Sequence, residues 1–152
     1  MGVSGAGKST VGALLAARLG WRFLDADEFH PPENVARMRA GTPLTDEDRW
    51  PWLDRLNSML KKETNAVLAC SALKQAYRDL LTDGLPDCKI AFLRGDIDLI
   101  RSRMHQRQHK YMPASLLDSQ FATLEPPANA LCVDVSSDIE SSVATIVAAV
   151  RG

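Results

Sequence analysis

Gly2-Val3-Ser4-Gly5-Ala6-Gly7-Lys8-Ser9-Thr10 is the stretch that decides the fold, because Gly2, Gly7, Lys8 and Ser9 match the pattern G-x-x-x-x-G-K-[ST] at every specified position. Glycines let a backbone turn sharply and bring successive N–H groups to phosphate oxygens. The lysine supplies a point charge for the β- and γ-phosphates, and the serine hydroxyl is a ligand for Mg²⁺. The residues after the loop supply the other half of the motif, a helix whose positive end faces the anion. Val11, Leu14, Leu15 and Leu19 recur at helical spacing up to Gly20, a C-terminal cap. Gly2, Val3, Ser4, Gly5, Ala6, Gly7, Lys8, Ser9 and Thr10 are therefore the candidate nucleotide-binding residues, with Ser9 also a candidate metal ligand. A loop of this kind follows a buried strand, whereas only Met1 precedes Gly2.

Working outward, Trp21-Arg22-Phe23-Leu24 reads as a short strand running into Asp25-Ala26-Asp27. Loop, helix and strand in that order begin a parallel α/β sheet, whose ligands sit beyond the C-terminal strand ends. Two residues apart on an extended backbone, Asp25 and Asp27 point the same way. One carboxylate can then hold the water shell of Mg²⁺ while the other accepts the proton of a substrate hydroxyl. The plainer alternative is a pair of turn acids capping the next helix. His30 stands alone among metal-ligating residues, which leaves a substrate contact or a local hydrogen bond. A helix opens at Thr45, an N-cap followed by Asp46, Glu47 and Asp48, with Trp52, Leu53, Leu56, Met59 and Leu60 on its buried stripe. Arg49 among these acids either pairs with Asp46 or Asp48 or faces the cleft as an anion ligand.

The apolar run 66–70 has the signature of a strand buried on both faces and leads through Ser71-Ala72-Leu73-Lys74 into a helix. Lys74 and Arg78, at i and i+4, would project from one helix face, a spacing that suits a small anion or a solvated basic surface. A further strand is expected at 89–93, then a helix from about 97 to 108 rich in cations. Arg103 and Arg107 are its candidate pair for covering a transferring phosphoryl group. Pro113 opens another helix carrying Leu116, Leu117, Phe121 and Leu124, and a last strand, 131–135, precedes the final helix.

The whole chain of 152 residues reads as one domain, 1–152, with a lid segment at about 103–125. A net charge of −1 argues against general nucleic-acid or anionic-membrane binding. No apolar run approaches the roughly 18 residues of a membrane span. Cys70, Cys88 and Cys132 have no paired spacing and read as reduced cytosolic thiols.

The chain resembles the P-loop gluconokinases, relatives of shikimate and adenylate kinases. The resemblance is carried by Met1 to Ser9, Asp25-Ala26-Asp27 with His30-Pro31, Asn34 with Met38, and Gly41 with Pro43-Leu44. It continues through Asp46, Asp48-Arg49 with Pro51-Trp52-Leu53, Cys70-Ser71-Ala72-Leu73-Lys74 with Tyr77-Arg78-Asp79, Ser119-Gln120-Phe121 and Leu124-Glu125. It implies a three-layer α/β/α P-loop fold with a parallel sheet in the order 2-3-1-4-5. It also implies a cytoplasmic enzyme, often a homodimer, that phosphorylates D-gluconate with ATP and Mg²⁺. By position, Lys8 and Ser9 serve nucleotide and metal, Asp25 orients metal-bound water, and Asp27 takes or orients the attacking hydroxyl. Arg49, Lys74 and Arg78, with His30, become candidates for the sugar acid, and Arg103 and Arg107 match lid positions. Kinases of shikimate or of nucleoside monophosphates, and a non-catalytic nucleotide-binding protein, are the alternatives.

Two departures from the family pattern stand out. Where the lid usually reads Gly-His-Phe, this chain has His109, Lys110 and Tyr111. The strand before the phosphate loop, which would lie inside the sheet, is not in the sequence, so the four readable strands are expected to flank its place and the chain to be N-terminally shortened.

Overall fold

The computed structural model describes residues 1–106 and 116–152. Helix α1 spans Lys8–Leu19, β1 Arg22–Asp25, a 3-10 turn Ala26–Phe29, α2 Pro32–Arg39 and α3 Asp46–Lys61. They are followed by β2 Ala66–Ala69, α4 Gln75–Thr82, β3 Ala91–Arg94, α5 Ile97–Gln106, α6 Leu117–Thr123, β4 Leu131–Asp134 and α7 Ile139–Arg151.

The strands form two parallel pairs. β1 lies beside β2 with Arg22 opposite Ala66 and Asp25 opposite Ala69, and β3 lies beside β4 with Ala91 opposite Leu131 and Arg94 opposite Asp134. The backbone of Met1 and Gly2 joins the pairs. The Met1 amino group donates to Ala91 O at 2.7 Å, Leu93 N–H donates to Met1 O at 2.9 Å, and Gly2 N–H donates to Ser71 O at 3.2 Å. Neighbour relations thus follow the expected order, while the sheet is two two-stranded sheets rather than one continuous ladder.

Both faces are covered, as the unbroken apolar run of β2 requires. Val67 packs into a core built from α1, α5 and α7 with Leu93 and Val133, whereas its neighbour Leu68 turns to a second core of Trp52, Leu53, Leu56, Tyr77 and Leu81. Alternation along one strand therefore separates two helical layers. Local chemistry sets the element ends. Gly20, at φ 69°, caps α1 with its N–H on Ala16 O and Ala17 O. Thr45 and Asp48 form a reciprocal capping box at the start of α3, as the sequence leads one to expect. Asp138 accepts from Ser141 N–H at the start of α7. Among the described residues no helix is long and apolar enough to cross a membrane.

Candidate active site

The loop between Met1 and α1 is a left-handed cradle. Gly5 and Gly7 have φ of 82° and 93°, values that L side chains rarely adopt. A Cβ on Gly5 would also sit 2.6 Å from Met104 Cγ, so α5 supports the loop from beneath. The first backbone bond of α1 runs from Val11 N–H to Gly7 O, which leaves the N–H groups of Lys8, Ser9 and Thr10 directed out of the helix end. Lys8 Nζ donates to Val3 O at 2.9 Å, and burial lowers its pKa, with Asp27 the first of the nearby groups opposing that shift. A polyphosphate would replace the carbonyl with a far stronger acceptor.

Asp25 and Asp27 do different things. Asp25 ends β1, and its Oδ1 accepts from Asp27 N–H at 3.1 Å, so it caps the 3-10 turn as the plainer sequence reading has it. Its Oδ2 accepts from Ser9 Oγ at 2.8 Å. That bond directs the serine hydrogen to the carboxylate and turns the oxygen lone pairs outward. This hard-oxygen arrangement fits Mg²⁺, which Ser9 could hold directly and Asp25 through water. Asp27 instead lines a cleft beside the phosphate loop, with Ser4, Lys8, His30, Arg49, Trp52, Ser71, Ser119, Gln120 and Thr123.

His30 has a side chain only 3 % exposed, stacked on Trp52 with ring centroids 3.9 Å apart, and Trp52 Nε1 is tied to Ala26 O at 2.8 Å. Asn34 Nδ2 donates to Asp48 O at 3.0 Å and lies 3.3 Å from His30 Nδ1. An amide nitrogen is only a donor, so Nδ1 must accept, and Nε2 carries the hydrogen. Nε2 faces Asp27 Oδ1 at 4.0 Å. Of the two sequence readings, the local hydrogen bond is realised, and the ring also forms part of the cleft wall.

Burial, with Arg49 adding to it, lowers the His30 pKa to about 4. The unfolded chain has the ordinary value near 6.5, so between about pH 6.5 and 4 it binds a proton that the folded protein refuses. Stability from this group is complete above pH 6.5 and is lost as pH falls towards 4. Replacing His30→Gln is expected to shrink the difference in urea midpoint between pH 7 and pH 5; an unchanged difference would assign the acid sensitivity to other groups.

The structure separates the cations grouped by sequence. Lys74 is not in α4 but is its N-cap, with extended backbone, and its Nζ bonds Asp46 Oδ1 at 3.1 Å. Arg78 is 2 % exposed. Its Nη1 donates to Ala72 O at 2.7 Å and Leu73 O at 3.2 Å, and its Nη2 to Glu125 O at 2.7 Å and Gln75 Oε1 at 3.1 Å. The expectation of an anion site from Lys74 and Arg78 on one helix face is therefore corrected. One residue lies outside the helix, and the other is a buried clamp on carbonyls. Arg103 donates from Nη2 to Val135 O at 2.6 Å and is not among the cleft-lining residues. Arg107 and the altered lid residues His109, Lys110 and Tyr111 lie outside the described residues. Arg49 does reach the cleft.

Gln120 takes a role that sequence reading does not assign to it. Its Oε1 accepts from Ser4 N–H at 2.7 Å and its Nε2 donates to Ser4 Oγ at 3.2 Å, a buried reciprocal pair between α6 and the phosphate loop. The available signal is a polar residue on the apolar face defined by Leu117, Phe121 and Leu124.

Comparison with known proteins gives the same grouping. The sequence profile of the family described as Shikimate kinase matches residues 4–146. A probable gluconokinase of Mus musculus is 42% identical over 175 residues, covering 99% of this chain and 95% of the mouse protein. The gluconokinase of Gluconobacter oxydans is 50% identical over 136 residues, covering 85% of this chain and 75% of its own. Among solved structures, a gluconokinase from Sinorhizobium meliloti superposes with a TM-score of 0.91 at 42% identity, covering 99% of this chain and 89% of that one. The chain belongs to the gluconokinase family of P-loop kinases, within the shikimate kinase-like fold.

Proposed function

We propose that this protein transfers the γ-phosphoryl group of ATP to the primary hydroxyl of D-gluconate, giving 6-phospho-D-gluconate and ADP. The observation that carries this reading is one cleft lined by a phosphate-loop lysine, a carboxylate and an arginine: Lys8, Asp27 and Arg49. The names of the relatives point the same way.

Phosphoryl transfer asks mainly for positioning and charge neutralisation. The amides at the start of α1 and Lys8 hold the β- and γ-phosphates. Mg²⁺, held by Ser9 and through water by Asp25, would neutralise phosphate charge there. Asp27 orients the attacking hydroxyl and accepts its proton as the new O–P bond forms. His30 fixes the cleft wall beside that carboxylate. Arg49 takes the sugar-acid carboxylate, which a guanidinium can engage with two parallel N–H bonds. Lys74 stands outside the cleft lining, paired with Asp46. The hydroxyls of Ser71, Ser119 and Thr123 suit a polyhydroxylated chain.

The test is ATP turnover with D-gluconate against a panel of shikimate, other hydroxy acids and nucleoside monophosphates. Gluconate-dependent ADP release is the expected result. Release driven by AMP or CMP instead, or by no acceptor in the panel, would overturn the reading.

A further inference from the structure

Arg49 reaches the cleft from the first turns of α3, and its aim is set by Leu44, which also lines the cleft, and by Tyr77, which does not. Nη1 donates to Leu44 O at 2.7 Å and to the Tyr77 hydroxyl at 3.0 Å, and the guanidinium carbon lies 5.2 Å from the Tyr77 ring centroid. Among the described residues only Nη1 of this guanidinium has protein acceptors, so the Nη2–Nε edge is left for a planar two-oxygen ligand. The Tyr77 hydroxyl donates to Asp46 Oδ1, and the same carboxylate accepts from Lys74 Nζ.

This chain of bonds can run in one direction only. A guanidinium has no acceptor and an ionised carboxylate no donor, so the single phenolic hydrogen must go to Asp46 and the phenolic lone pairs to Arg49. Asp46 is kept ionised by the bond from Tyr77 first and Lys74 second, both of which lower its pKa. Tyr77 is 2 % exposed and rigid in the second core, whereas the Asp46 side chain is 39 % exposed at the rim.

We propose that Tyr77 and Asp46 are positioning residues for the carboxylate subsite: they fix Arg49 so that its Nη2–Nε edge receives the carboxylate of a small hydroxy acid. Lys74 acts through Asp46, holding that carboxylate in place, and does not touch the substrate. The proposal rests on the kinase reading and deepens it at one subsite.

The experiment is steady-state kinetics with ATP and D-gluconate on the full chain. Tyr77→Phe keeps the ring and its packing and removes only the hydroxyl. The KM for gluconate is expected to rise about tenfold, a change worth about 1.4 kcal/mol, while the KM for ATP moves less than twofold. Asp46→Ala, at a half-buried position on the rim, should raise it in the same way. In an Arg49→Lys background Tyr77→Phe should add less than twofold, because the lysine no longer presents the planar edge. Lys74→Ala should add nothing to Asp46→Ala. A gluconate KM in Tyr77→Phe within twofold of the parent overturns the proposal. So does a parallel rise in the KM for ATP, or the full tenfold effect persisting beside Arg49→Lys. An additive effect of Lys74→Ala on Asp46→Ala overturns the part assigned to Lys74. An active parent with unmoved variants defeats the positioning argument alone; a parent with no gluconate-dependent turnover defeats the function on which it rests.

Discussion

Asp27→Asn is expected to lower kcat by about 10²- to 10⁴-fold, the usual worth of a positioned general base. The amide keeps the volume of the carboxylate and leaves the backbone bond from residue 27 to Asp25 Oδ1 untouched. The turns of the phosphate loop at Gly5 and Gly7 and the bond from Val11 N–H to Gly7 O are made by the backbone. ATP binding should therefore survive, with a KM for ATP within about threefold of the parent. Single-turnover measurement at saturating ATP and gluconate separates the chemical step from product release. A loss below threefold would take Asp27 out of the base role. Equal losses in ATP affinity and rate would place it on the nucleotide instead.

Arg78→Leu is expected to cost about 3–5 kcal/mol of folding stability, because it takes the donor from the buried Ala72 O, leaves Leu73 O with Glu125 N–H alone, and unties Glu125 O. Ala72 O, Leu73 O and Glu125 O all accept from this one guanidinium. Ala72 is also the only non-glycine residue with positive φ among the described residues, at 46°, a conformation that costs roughly 1–2 kcal/mol and needs an external restraint. A loss of this size in a chain of 152 residues lowers the melting temperature by roughly 10 °C. Arg78→Lys should rescue little, since a single ammonium cannot span the acceptors that two guanidinium nitrogens reach. Urea unfolding of the three proteins is the direct measurement. A cost below about 1 kcal/mol for Arg78→Leu would mean that water replaces the clamp.

These two residues mark where sequence reading succeeds and where it stops. Asp27 is legible because its place follows from local rules: a phosphate loop fixes the sheet's binding edge, and the first strand after it ends there. Thr45 and Gly20 are legible for the same reason, since caps act within a few residues. Arg78 misleads because helical spacing says which residues share a face but not whether that face meets water or a packed loop. Its partners Ala72 and Leu73 are local, yet Glu125 arrives from 47 residues away. Lys74 misleads by a single position, since the helix begins after it. Sequence leaves Arg49 between an ion pair with Asp46 or Asp48 and the cleft, and the structure chooses the cleft through Tyr77, a contact 28 residues distant. The sheet order is readable, but not the way Met1 and Gly2 stitch two separate strand pairs together.

Gln120 and Glu125 have a consequence for how substrate preference can change in such proteins. The first is bonded to Ser4 in the phosphate loop, and the second to Gln75 N–H and Leu73 O in the β2–α4 connection. Thr123, between these two anchors, and Ser119, next to the first of them, line the cleft. The segment that lines the cleft with these two hydroxyls is thus fastened at one end to the phosphate loop and at the other to the β2–α4 connection. Grafting 116–125 from a relative of different specificity would import new hydroxyl contacts but mismatched fastenings. Inheritance or engineering has to exchange the three segments as one module.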